Sequence, residues 1–335
     1  MEFEFDEDQR LLQRLVRETV AKSRSQPADQ LWATYLELGW LEAPAVELAI
    51  VLEELGYAAD PTPFLATATW FAPLAGRLPS GSGTGVFDGT GRFVLDADRA
   101  DEIALLTRDG VRIVTGPELG AARVDIFDPT LHVAHVEAGD LVPGIPDLAL
   151  MGLAISTVGS CRRILDLAVA HVKERVQFDV PIGSFQAVKH KAADMYVAIE
   201  RARALAHFSA LTIAEDDPRR SRAASMAKAA AGECQRIVFR NGFQLFGAMG
   251  FTWENELQIH LKRAKAGDLL LGTAAVHRRA LLEKTRQEQE RSGPQRERTG
   301  QERERTGQER ESTGQEREST GQERETSGQE GVVTG

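Results

Sequence analysis

The stretch "ERVQFDVPIGSFQAVKHKAADM", Glu174 to Met195, decides how this chain is read. On its N-terminal side Ala154, Val158, Cys161, Leu165, Ala168 and Val172 step by four and three residues, which is one apolar face of a long helix. On its C-terminal side Phe185, Val188, Ala192, Met195, Ile199 and Ala202 repeat that spacing. Joined by the short "DVPIG" connection, two such helices pack antiparallel at a shallow angle. "SRAASMAKAAAGECQRIVFRNGFQLFG" supplies a third helix and "ELQIHLKRAKAGDLLLGTAAVHRRALLEK" a fourth, so residues 148–285 read as a four-helix bundle.

Upstream, residues 1–75 read as a helical domain. "DQRLLQRLVRETVAKS", "DQLWATYLELGW" and "PAVELAIVLEELGYAA" are its helices, the last ending near Gly56 before "DPTPF". Between the two helical regions, residues 76–147 read as a reduced antiparallel β-domain: "RFVLDA", "EIALLT", "VRIVTG" and "LHVAHVEA" alternate or are β-branched, spaced by Gly, Asp and Pro. The glycines of "GSGTG", Gly81 to Gly85, read as linker. A phosphate loop would end in Lys-Ser/Thr and lie between a strand and a helix. The fold class is mainly α with a small β-domain.

The end of the chain differs. "TGQERER", "TGQERES", "TGQERES" and "TGQERET" start at Thr299, Thr306, Thr313 and Thr320. A period of seven with no apolar position offers no coiled-coil seam, so residues 286–335 are expected to be a disordered, solvated heptapeptide-repeat tail.

A hydrophobic content of 42%, 27% charged residues and a net charge of −10 describe a soluble globular chain with no electrostatic attraction to nucleic acid or anionic membrane. Cys161 and Cys234 both fall in apolar helical patterns and read as small buried residues of a reducing compartment. The acidic start "MEFEFDEDQR" has no apolar core, and no stretch approaches the roughly 18 apolar residues of a membrane span, so a cytoplasmic location is expected. His132 and His135, three apart in a strand, point to opposite faces and make no metal site; no G-x-S-x-G elbow or nucleophile-base pair is present.

One constellation rises above this background: "ERVQFDVPIGSFQAVKHKAADM" followed some fifty residues on by "QLFGAMGFTWENE", Gln244 to Glu256. With "FEFDEDQRLLQRLVRE", "LGWLEAP", "VLEELG" and the final helix, it resembles the acyl-CoA dehydrogenase superfamily over roughly residues 1–284. The resemblance implies an N-terminal helical domain, a middle β-domain and a C-terminal four-helix bundle, assembled as dimers of dimers around FAD. It also implies dehydrogenation of acyl-CoA thioesters between Cα and Cβ, with electron-transfer flavoprotein as acceptor. Family members hold the diphosphate and adenine half of a neighbouring subunit's FAD with residues that here match Arg175, Phe178, Gln244 and Gly247. A guanidinium at a helix end suits a diphosphate, and glycine allows close backbone approach. Asp179 and Ala248 stand where the family commonly has glycine.

The family's catalytic base is a glutamate just before the "G-T" of the last bundle segment; that position is Leu271. In some members the base lies twenty-six residues before the flavin arginine, and that position is Ala149. Neither side chain accepts a proton. The middle domain is short, with only about 75 residues between "FLATATW" and Leu148, and lacks the family's loop over the isoalloxazine. The resemblance therefore implies a non-catalytic subunit that completes the FAD site of a full-length dehydrogenase partner, in an α2β2 heterotetramer acting on acyl-CoA, with steroid-derived thioesters as a substrate class. Two other readings stay open: an active homo-oligomer whose base has moved to Glu254 or Glu256, and a catalytically silent scaffold or acyl-CoA binder.

Overall fold

Asp6 opens the first helix, α1 (Glu7–Lys22), with a capping box: its carboxylate accepts the Gln9 N–H at 2.8 Å while the Gln9 side chain accepts the Asp6 N–H at 3.3 Å. The structure, a computed structural model, describes residues 4–23, 26–252, 255–287 and 289. α2 (Ala28–Glu37) and α3 (Ala45–Ala58) follow. α3 is buried on nearly every side from Leu48 to Gly56, as befits a helix with apolar residues all round. α4 (Phe64–Ala66) and α5 (Ala72–Ala75) are joined by a π-helical turn, Thr67–Phe71.

Two three-stranded sheets come next. In the first, β1 (Gly83–Val86) pairs in parallel with β3 (Glu102–Thr107), which pairs antiparallel with β4 (Gly110–Thr115). In the second, β2 (Val94–Leu95) and β5 (Ala122–Arg123) flank β6 (Val133–His135), all antiparallel. A single helical turn, α6 (Gly116–Leu119), follows β4. Two expectations are corrected here. The sheet is not wholly antiparallel, and "GSGTG" is not simple linker, because Gly83 and Gly85 belong to a buried strand. The reason is contact: a Cβ at Gly83 would lie 2.7 Å from the Phe71 ring, and one at Gly85 would lie 2.5 Å from the Trp70 carbonyl oxygen. Only glycine lets this strand lie against the π-helical turn, whose Thr67 hydroxyl bonds the Gly83 backbone at 3.1 Å.

The bundle is built on α7 (Asp147–Glu174), which packs against α3, α8 (Gln186–Ala214), α9 (Arg220–Phe246) and α10 (Leu257–Leu269). α7 is long and apolar enough to cross a membrane, with a window of mean hydropathy 1.4, which the sequence reading did not anticipate; 72% of that window is buried against the other helices. Cys161 and Cys234 are fully buried between α7 and α9. The fourth helical stretch is two helices rather than one: α10 stops at Leu269, and α11 occupies 274–287. Residues 280–335 form a unit of their own, of which 280–287 and 289 are helical. Helix thus passes the boundary expected near Arg286, consistent with the helix-forming Arg and Gln residues there; the heptapeptide repeats lie outside the described residues.

The N-terminal helices and the bundle share one core. At the α3–α7 crossing, a Cβ on Gly56 would lie 2.2 Å from the Ser156 carbonyl oxygen, and one on Gly159 would lie 2.0 Å from that of Glu53. Beside this contact the fully buried Glu53 carboxylate meets Arg162 at 2.8 Å, Arg203 at 2.9 Å and His207 at 3.3 Å. Burial alone would raise its pKa, but His207 and the two guanidinium groups pull it down to about 2. A second apolar cluster lies under the sheets, and Arg263 of α10 fastens it to the helices through Asp128 at 3.0 Å, the Asp60 carbonyl at 2.9 Å and the Thr130 hydroxyl at 3.0 Å.

Candidate functional site

The break between α10 and α11 is a strained turn held from behind. Leu271 has φ +56° and Gly272 φ +94°, a left-handed stretch that costs a leucine roughly 1–2 kcal/mol. Lys228, fully buried on α9, donates its ammonium to the carbonyls of Asp268 at 3.0 Å and Gly272 at 2.6 Å. Burial pushes the Lys228 pKa down to about 8, against the opposing pull of Asp268. His277 bonds the Leu271 carbonyl through Nε2 at 2.9 Å, so that nitrogen carries the hydrogen. Its pKa is lowered by burial, with the Lys228 cation adding to the effect and the Leu271 carbonyl opposing it. The Asp268 carboxylate accepts the Ala274 N–H at 3.2 Å, starting α11.

This turn forms one wall of a cavity of about 690 Å³ between the sheets and the bundle. Its lining is mainly apolar and aromatic, including Trp70, Phe87, Phe93, Phe127, Leu270 and Leu271, with Asp88, Thr90 and Arg92 among the polar exceptions. Ala149 is fully buried in the same apolar cluster against which Leu270 and Leu271 pack. The positions of Leu271 and Ala149 therefore converge on one region of the fold, and neither supplies a side chain that accepts a proton.

Arg175 lies at the C-terminal end of α7, Phe178 three residues beyond it, and Gln244 and Gly247 at the C-terminal end of α9. These ends are joined by His171 stacked on Phe246, with ring centroids 4.4 Å apart and planes 10° from parallel. Arg175 caps α7, its N–H bonding the His171 carbonyl at 2.9 Å. The pKa of His171 is lowered by burial and then by the Arg175 cation. Beyond Arg175, Val176–Gln177 and Val180–Pro181 make a hairpin whose two turn residues, Phe178 and Asp179, have φ +55° and +64°. Such a two-residue turn favours Asn or Gly, and Asp179 stands where the family commonly carries glycine. Phe178 is 87% exposed, and Arg175, Gln244 and Gly247 are exposed as well. Among the described residues no carboxylate pairs with the Arg175 guanidinium. A guanidinium and a glycine exposed at these two helix ends are chemically suited to an anionic ligand.

Glu256 faces neither place. Arg163 holds its carboxylate with two bonds, 2.9 and 3.0 Å, and His260 lies 3.2 Å away. Glu254 lies outside the described residues.

Residues 150–285 match the family model of the acyl-CoA dehydrogenase C-terminal domain. An acyl-CoA dehydrogenase, IpdE2, of Mycolicibacterium smegmatis is 35% identical over 249 residues, covering 70% of this chain and 78% of the relative. Its namesake of Mycobacterium tuberculosis is 34% identical over 250 residues, covering 70% and 76%. This chain belongs to the acyl-CoA dehydrogenase family. The fold likeness extends to a chain of the ChsE4-ChsE5 complex of Mycobacterium tuberculosis, with a TM-score of 0.72 at 21% identity over 85% of this chain and 99% of that one. A chain of the Tcur3481-Tcur3483 steroid acyl-CoA dehydrogenase variant gives a TM-score of 0.69 at 21% identity, over 83% and 97%.

Within this dehydrogenase fold, Lys228, His277 and Trp70 were not singled out by the sequence. Lys228 had one legible sign: a lysine on the face of α9 that also carries Ala224, Ala227, Ala231 and Cys234, all buried. Nothing local marks His277 or Trp70.

Proposed function

We propose that this chain is a non-catalytic subunit of a heteromeric FAD-dependent acyl-CoA dehydrogenase, and that it completes the FAD site of a full-length partner subunit. The observation that carries this reading is the occupancy of both base positions, Leu271 on the cavity wall and Ala149 buried behind it. The chemistry that FAD supplies when bound is acceptance of a hydride from the acyl β-carbon, and α,β-dehydrogenation also needs a group to take the α-proton. This chain's part is to bind and orient: Arg175 holds the diphosphate, Gly247 allows its close approach, and Gln244 and Phe178 flank the adenine half. An α2β2 assembly in the cytoplasm, electron-transfer flavoprotein as acceptor and steroid-derived acyl-CoA thioesters as substrates accompany the reading. The two-component complexes of similar fold, one of them described as a steroid acyl-CoA dehydrogenase, support the heteromeric arrangement and the substrate class. Against a relocated base stands the Glu256 carboxylate, already engaged by Arg163.

Arg175→Ala in the co-expressed complex tests this. Losing one charge-assisted hydrogen bond of roughly 1.5–3 kcal/mol should lower flavin affinity at least tenfold. An exposed helix-end arginine adds little to the bundle core, so the complex should elute intact but shed FAD during gel filtration. Full retention of flavin and activity would leave the scaffold reading in its place.

A further inference from the structure

The residues lining the cavity beside Leu271 are of two kinds. Trp70 and Phe87 are at most 2% exposed and belong to its floor, whereas Phe93, Phe127, Leu269 and Val276 are 46–58% exposed and mark the mouth, where it meets solvent. One of these rim residues is strained. Phe93 has φ +55°, a left-handed backbone that disfavours a bulky side chain. The chain is pinned on either side of it. Upstream, the Asp88 carboxylate accepts the Thr90 and Gly91 N–H groups at 2.9 and 2.8 Å, and the Gly91 carbonyl accepts the Val136 N–H at 2.8 Å. Downstream, Val94 pairs with Ala134, and the Asp96 N–H bonds the His132 carbonyl at 3.0 Å. Between these points the Phe93 backbone makes no hydrogen bond among the described residues. Leu271, the other left-handed side chain lining the cavity, differs in this respect, since His277 holds its carbonyl.

What keeps Phe93 left-handed is then the contact of its ring with the rim. Relaxing φ to a negative value recovers the cost of the left-handed conformation and gives up the burial of a little under half of a phenyl ring. The two are of similar size, so the two settings lie within roughly tenfold of one another in population. We propose that Phe93 is a gate at the mouth of this cavity. Its ring lies over the opening while φ is positive and swings clear when φ turns negative, with Gly91 and Val94 as the fixed ends of the hinge. The gate does not depend on Arg175 or on a shared flavin, so it stands or falls separately from the proposed subunit role.

The test is stopped-flow binding of 6-propionyl-2-(dimethylamino)naphthalene, a neutral dye whose emission shifts in apolar surroundings, to the full chain. A gate limits entry and exit alike, whereas a side chain that is only part of the wall limits exit alone. Phe93→Ala is therefore expected to raise the association and dissociation rates together, by about threefold to tenfold, with the Kd moving less than either rate. Phe93→Trp should slow both. Val276→Trp, which narrows the same mouth, should slow association and so locate the dye in this cavity. No dye binding to either the wild-type chain or Phe93→Ala, unchanged rates in Phe93→Ala, a rise in dissociation alone, or indifference to Val276→Trp would each overturn the proposal. Should Phe93→Ala fail to fold, Phe93→Trp decides: rates equal to those of the wild-type chain would overturn it equally.

Discussion

Lys228→Met removes the ammonium that holds the Leu271 turn while keeping most of the side-chain volume. Two opposing quantities follow from the structure. The carbonyls of Asp268 and Gly272 lose their donor, which costs about 1–3 kcal/mol for each that stays buried. Against this, the native state no longer shelters a cation in a place that lowers its pKa from 10.5 to about 8, a burden of roughly 3 kcal/mol. The net change at pH 7 is a small difference, but its pH dependence is not. Between pH 8 and 10.5 the unfolded lysine binds a proton that the folded one has released, so this group makes wild-type stability rise with pH across that window. Methionine has no such term. The free energy separating wild type from Lys228→Met, measured by urea unfolding at steps from pH 7 to 11, should therefore move in favour of wild type by about 3 kcal/mol as pH rises. Buffer and background titrations cancel in the difference. A flat difference across the window would refute the desolvated, carbonyl-capped placement of Lys228.

Glu53→Gln should destabilise the chain by about 3–5 kcal/mol in urea unfolding at pH 7, because Arg162 and Arg203 are left beside a neutral buried amide. The wild-type Glu53 contribution, roughly 3 kcal/mol from a pKa lowered from 4.5 to about 2, is complete above pH 4.5 and lost as pH falls through 2, and the variant should lack that acid-side decline. Gly159→Ala forces a methyl to within 2.0 Å of the Glu53 carbonyl oxygen, and a loss of about 1–3 kcal/mol is expected from the separated helices; an unchanged melting temperature would show that the α3–α7 crossing is looser than described.

The bundle was legible because helix periodicity is a local property. Val158, Cys161, Met195 and Ile199, placed on apolar stripes by spacing alone, are all at most 1% exposed. The same stripe included Phe185, which is 39% exposed at the start of α8. Spacing identifies a face but not what covers it. The "GSGTG" strand was illegible for the opposite reason: its composition is that of a turn, and it becomes a buried strand only through contacts with Phe71 and Trp70 and a parallel partner some twenty residues away. Likewise, the resemblance drew attention to Leu271 and Ala149 one at a time, 122 positions apart in the chain. That they belong to one apolar cluster is a tertiary fact. Lys228 could be suspected from its place among buried alanines, but its partners, forty and forty-four residues away, could not.

The energetics of the turn bear on why a leucine stands at position 271. A chain with no use for this place could continue α10 into α11, sparing a left-handed leucine at roughly 1–2 kcal/mol and a buried ammonium at roughly 3 kcal/mol. Instead the turn is fixed from three sides by Lys228, His277 and Asp268. What that rigidity secures is the wall of the cavity, with Leu270 and Leu271 set against the cluster that also holds Trp70. A carboxylate at 271 would need water or a cation, and the surrounding wall is largely apolar. Leucine is the residue that this wall accommodates, and it leaves this stretch of the cavity without a side chain able to take a proton.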